Sequence, residues 1–109
     1  MTKILVGSQK LFEGETVLAG ASITSDTITI DDNFDRMTIT AHASKAGTLE
    51  ILALLNSVWY TAVTIPLVAG VFNVANNYLF FPKVRFKFTA GVADSVISCD
   101  ENITKHVSN

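Results

Sequence analysis

The chain has 109 residues, of which 49% are apolar and only 17% charged, and a formal net charge of −2. That length is one domain, large enough to bury roughly two-thirds of its unfolded surface around a single core with no metal or disulfide staple. The lone Cys99 excludes an intrachain disulfide and points to a reducing compartment, and the weak net charge gives no general attraction to nucleic acid.

Two further exclusions follow from the opening and the composition. MTKILVGSQKLF has neither the apolar h-region of a secretory signal nor the length of a membrane span, so the expectation is a product made in the cytoplasm that does not leave by the general route. An average soluble domain carries about 25% charged residues. A small domain with fewer has surface to hide, which predicts cover by further copies of protein.

In chain order, residues 1–12 begin with the β-prone run TKILV, which Gly7-Ser8 is expected to break before KLF and Glu13-Gly14. Two readings stay open here: the domain's first strand, or an amino-terminal arm that adds itself to the open edge of a neighbouring copy. TITI (27–30) and RMTITAHA then alternate. Met37, Ile39, Ala41 and Ala43 take one face, Thr38, Thr40 and His42 the other, the period of a half-buried strand. In TLEILALL, Leu49, Ile51, Ala53 and Leu55 form one face while Leu52 and Leu54 occupy the other. A strand apolar on both faces is covered on both, by a loop or by a neighbouring subunit, and the low charge favours the subunit. SVWYTAV sends Trp59 and Tyr60 to opposite sides, one buried and one outward. In YLFFP, Phe80 and Phe81 point opposite ways, so this run too is expected to be covered on both sides.

The last third repeats the pattern. Val84, Phe86 and Phe88 alternate with Arg85, Lys87 and Thr89, so Lys83, Arg85 and Lys87 form a basic stripe on one face, read as solvated decoration at a sheet edge, with pairing to an acidic strip on a partner as the sharper alternative. SVISCD makes Cys99 a small core residue. Turn signals at Gly7-Ser8, Gly14, Ser25-Asp26, Asp31-Asp32-Asn33, Ala46-Gly47, Asn56-Ser57, Ala69-Gly70, Asn76-Asn77 and Ala90-Gly91 separate these runs at short, even spacing. TLEILALLNSV, the best helix candidate, has no helical stripe. The prediction is an all-β chain, a single antiparallel β-sandwich or barrel spanning residues 1–109.

Catalytic chemistry is thin. Only His42 and His106 offer an imidazole base, no serine stands in a G-x-S-x-G elbow, and Cys99 sits in a core pattern. Three scattered Cys and His cannot make a zinc site. Asp31, Asn33 and Asp35 have the opening spacing of a calcium loop, but Arg36 stands where that loop needs Gly and His42 where it needs Glu. No phosphate-cradling Gly loop occurs. No cofactor, catalytic residue or metal site is expected, and neither nucleic acid nor a membrane is an expected partner. Trp59 and Tyr60 remain a candidate sugar-stacking pair.

The order of the pieces carries a resemblance. A Thr/Ser-rich opening (ETVLAGASITSDTITI) precedes strands joined at Gly47-Thr48-Leu49, then Trp59-Tyr60, then the late strand Lys83-Val84-Arg85-Phe86-Lys87-Phe88-Thr89-Ala90-Gly91. Over roughly residues 15 to 100 this resembles the jelly-roll β-sandwich domains of tailed-bacteriophage structural proteins. The loop before the aromatic pair, Asn56-Ser57-Val58-Trp59, is shorter than the pattern. The resemblance implies a virion protein: a capsid decoration (cement) protein that self-associates as a dimer or trimer and binds the major capsid protein, or a small head or tail component. The alternative is a carbohydrate-binding or host-attachment module. Candidate interface residues are Ile4, Leu11, Phe12, Leu52, Leu54 and Phe80.

Overall fold

A computed structural model describes residues 2–29, 36–77 and 83–108, with side chains described over 10–29, 38–74 and 83–101. Among the described residues the elements are all strands: β1 (Thr2–Val17), β2 (Ser22–Thr24), β3 (Ile28–Thr29), β4 (Arg36–Ala43), β5 (Gly47–Leu55), β6 (Val58–Leu67), β7 (Phe72–Asn77), β8 (Lys83–Ala90) and β9 (Ser95–Ser108). They form two antiparallel sheets. One runs β1-β9-β4-β7, and the other β2-β8-β5-β6 with β3 also on β8. Consecutive strands repeatedly cross between the sheets, and the two interleaved four-strand paths are those of a jelly roll. The expected fold class is the fold observed.

The inner faces follow the alternation. Ile39, Ala41 and Ala43 of β4 and Ile97 and Cys99 of β9 are buried on one sheet. Leu49 and Ile51 of β5 and Val84, Phe86 and Phe88 of β8 are buried on the other, all within one cluster. Met37 lies outside the described side chains. Leu55, though in phase with the core face of β5, ends at the turn and is exposed.

Several expected turns are strand instead. β1 runs unbroken through Gly7 and Ser8, which pair with Ile103 and Asn102, because a continuous partner strand supplies the ladder that Gly7 alone does not favour. Gly14 is also not a turn. The register of β1 on β9 slips one residue between Lys10 and Phe12 and again before Glu15, with Gly14 at φ 63°. These are β-bulges, which insert an extra residue and re-aim side chains. The first lets sequence neighbours Leu11 and Phe12 both turn toward the core. Asn76 and Asn77 lie within β7.

The β5–β6 hairpin keeps to expectation. Leu55 pairs with Val58, and Asn56 and Ser57 have φ of 52° and 64°, the double positive φ that a two-residue hairpin turn needs to match strand twist. The β4–β5 turn falls at residues 44–46, so Gly47-Thr48-Leu49 opens β5 rather than forming the turn. Gly47 is there for space: a Cβ would sit 2.6 Å from the Phe88 ring and 2.6 Å from the Thr89 carbonyl oxygen. Gly47→Ala should therefore lower stability by about 1–3 kcal/mol through overpacking, read from the urea midpoint; an unchanged midpoint would mean that Phe88 yields freely.

Candidate functional site

The outer face of the β2-β8-β5-β6 sheet collects the chain's most interaction-prone side chains. Leu52 stands opposite Arg85 on β8 and Thr61 on β6, and Leu54 stands opposite Trp59. The guanidinium carbon of Arg85 lies 4.4 Å from the centroid of the Trp59 ring, and its Nε donates to Thr27 Oγ1 at 3.0 Å. Stacking of this kind contributes about 0.5–1 kcal/mol when partly exposed, and it holds both groups in one orientation. Glu50 stands opposite Lys87, and its Oε2 accepts from Thr61 Oγ1 at 2.8 Å. The result is a half-buried strip of Leu52, Leu54 and Trp59 bordered by Arg85 and Lys87. Trp and Arg are the residue types that dominate binding hot spots, and Leu52 and Leu54 set them in apolar surroundings.

Two expectations change here. Lys83, Arg85 and Lys87 do share a face, but β8 is a central strand between β2 and β5, not an edge. They therefore border a sheet face. Neither Trp59 nor Tyr60 is buried: Trp59 lies half-covered on the outer face under Arg85, and Tyr60 is exposed. The Arg85 guanidinium already takes one face of the Trp59 ring.

The other interface candidates separate. Leu52 and Leu54 are brought together on the strip. Phe12 is a core residue, 4% exposed, and Leu11 packs against that core. Both are drawn inward by the bulge in β1, and Phe12 is covered within the chain itself. The backbone of Ile4 pairs with His106, but its side chain lies outside the described residues, as does the whole of Phe80. Asp31, Asn33 and Asp35 also lie outside them.

On the opposite sheet, a shallow cleft of about 100 Å³ is lined by Thr40, His42, Phe72, Ser98 and Asp100, with Ala41 and Cys99 beneath. Phe72, two-thirds exposed, stands opposite His42 in the register. The alternation of RMTITAHA and SVISCD contained the polar side of this cleft, but not the neighbourhood of Phe72, which depends on β7 crossing back from the other sheet. Cys99 lies inert below: burial, with Asp100 and Glu101 nearby, pushes its thiol up to about 12, so it is no thiolate at neutral pH.

Glu101 was not singled out by its sequence context, although it continues the inward parity of Ile97 and Cys99. It is 0% exposed, and neither carboxylate oxygen has a hydrogen-bond partner among the described residues. Burial pushes it up from 4.5 to about 7, because an ion without partners is disfavoured in an apolar setting. The folded state therefore holds this proton where the unfolded state has released it. Its stabilising effect is complete below pH 4.5 and is lost as pH rises through about 7. At about 1.4 kcal/mol per unit, wild type should lose about 3 kcal/mol relative to Glu101→Gln between pH 4.5 and 8. Parallel urea titrations at a series of pH values read this difference directly, and two curves that stay parallel would show that Glu101 is solvated.

The sequence matches no family model, and no curated protein matches it. Solved structures do match in fold. The PBSX exported protein XepA superimposes with a TM-score of 0.76 at 20% identity, over 89% of this chain and 36% of that one. A chain from a structure of infectious bursal disease virus, Gx strain, gives 0.53 at 15% identity, over 98% and 33%. The carbohydrate-binding module CBM36 in complex with calcium and xylotriose gives 0.51 at 10% identity, over 94% and 98%. The chain thus spans about a third of the length of the first two. At these identities the likeness is one of fold: a β-sandwich shared with an exported PBSX protein, a virus protein and a binding module.

Proposed function

We propose that this chain is a non-enzymatic structural module of a virion, acting as a capsid decoration protein that self-associates and seats on the capsid surface. The observation that carries the reading is the strip of Leu52, Leu54 and Trp59 on a sheet face, stiffened by the Arg85 stack and bordered by Lys87. Such a strip gains by being covered, and its basic border suits an acidic partner surface. The tailed-phage resemblance of residues 15 to 100 and the fold shared with a virus protein support the same assignment. Specific contacts of this kind bury on the order of 1,000 Å² or more, and many repeated on a lattice would act together.

The test is co-sedimentation of the purified chain with capsids lacking it, alongside light scattering of the chain alone. Leu54→Asp should reduce capsid binding at least about tenfold, a loss of roughly 1.4 kcal/mol, while leaving thermal unfolding within a few degrees of wild type. A wild-type chain that remains a monomer and never pellets with capsids would remove the proposal.

A second reading, glycan binding, is favoured by one observation: Phe72 exposed beside a cleft with hydroxyl, imidazole and carboxylate groups. An aromatic face packs against the C–H side of a sugar ring while polar neighbours take its hydroxyls. This reading predicts that Phe72→Ala abolishes binding to a glycan array without unfolding the protein, and an array with no hits for wild type discards it.

A further inference from the structure

The turns β1–β2, β4–β5, β6–β7 and β8–β9 meet at one end of the sandwich and are tied together there. Gly20 N donates to Gly91 O at 3.0 Å, Gly91 N to Ala46 O at 3.1 Å, and Gly70 N to Ala43 O at 2.8 Å. Asp94 Oδ1 accepts from Ala19 N at 2.8 Å. The buried Ser95 hydroxyl accepts from Lys45 N at 3.1 Å and donates to Lys45 O at 2.9 Å. Backbone groups that loops ordinarily leave to water are spent on one another, so the four turns form one stiff plate.

Aliphatic side chains project from that plate. Leu18, Val68 and Val92 are 62%, 60% and 104% exposed, and Val71 joins them, with Phe72 and Val96 continuing the patch onto the neighbouring sheet face. Turn tips usually carry Gly, Asn, Asp and Ser. Leucine and valine held outward on a stiff base gain nothing within the chain, and covering them would return roughly 25 cal/mol for each Å² removed from water.

The charges identify the occupant. Across residues 18–21, 44–46, 68–71 and 91–94 the only charged side chains are Lys45 and Asp94, both exposed and of opposite sign. A patch with an apolar centre and one charge of each sign is complementary to itself under a two-fold rotation. Size limits how the copies meet. The molecule measures 50 × 32 × 18 Å, and its long axis is that of β1, sixteen residues at about 3.3 Å each. An end of 32 by 18 Å presents on the order of 600 Å², short of the roughly 800 Å² per partner of a stable pair. A stable pair built on this end would need to cover Phe72 and Val96 as well.

We propose that this plate is the self-association surface of the protein, taking a second copy of the same chain about a two-fold axis that sets Lys45 of each copy against Asp94 of the other. This rests on the self-association proposed above and assigns it a surface distinct from the Leu52–Trp59 strip.

Sedimentation of the full chain tests it. Wild type should show a concentration-dependent dimer, and Val92→Asp should weaken it at least about tenfold with unchanged far-ultraviolet circular dichroism. Lys45→Glu and Asp94→Lys should each weaken it alone, and an equimolar mixture should recover it, since both cross-seam pairs are then again of opposite sign. If folded Val92→Asp and Leu18→Ser proteins dimerise like wild type, the surface is wrong while self-association stands. If Val92→Asp instead loses only capsid binding, the plate belongs to the capsid and the second copy is ruled out. A wild type monomeric at every concentration removes this inference and the self-association beneath it together.

Discussion

The two sheets are held by one shared core. Phe86 and Phe88 project inward from β8, and the facing sheet contributes Phe12, Ile39 and Ile97 together with the small Ala41, Ala43 and Cys99. Large and small side chains together let two layers interdigitate at crystal-like density. Gly47 belongs to the same constraint, because its missing Cβ is where the Phe88 ring lies. Everything outward of β8 inherits its position from this packing. With Val84, Phe86 and Phe88 fixed inside, Arg85 and Lys87 have no choice but the outer face, and Arg85 reaches the Trp59 ring because β5, which separates the two strands, offers the narrow Leu52 and Leu54 between them.

The same geometry explains why apolar surface gathers in two places. On the sheet face it follows from β5 being apolar on both sides, an arrangement natural to a strand covered on both. At the tied turns its origin differs. Gly91 lies so close to the Ala46 carbonyl that a Cβ would sit 2.9 Å from its oxygen, Gly20 and Gly70 take the positive φ of their turns, and Ala19, Ala46 and Ala69 are short, which leaves little polar side chain to dress the surface. Stiffness and greasiness at this end are then two results of one composition. A preorganised surface loses little conformational freedom when covered.

Period-two alternation made the strands and their inward faces legible, and Ile39, Ala41, Leu49, Ile51, Phe86 and Phe88 fall where it puts them. The turn chemistry of Asn56-Ser57 was equally readable, because two consecutive positive φ values demand such residues. What alternation could not reveal was anything set by pairing between distant segments. Gly7-Ser8 and Gly14 look like breaks when considered locally, yet β9 carries the ladder past the first and absorbs the second as a bulge. The other bulge, between Lys10 and Phe12, is why Phe12, an interface candidate in the sequence, sits in the core. Likewise Arg85 over Trp59, Phe72 beside the cleft and the seam of four turns each depend on which strand returns next to which. A one-dimensional pattern does not contain that information.

Glu101 shows where foldability and surface chemistry pull apart. A buried carboxylate with no hydrogen-bond partner among the described residues is a local conflict in an otherwise consistent pattern. Its neighbour Asp100, by contrast, faces out into the cleft beside Thr40 and Ser98. Two adjacent acids on one strand thus have opposite fates, fixed solely by the parity that Ile97 and Cys99 impose. An apolar residue at 101 would serve the core better than a carboxylate that must keep its proton to stay buried. The fold therefore tolerates a pH-dependent weakness in β9, the strand that pairs with both β1 and β4 and so joins the chain's first segment to its sheet.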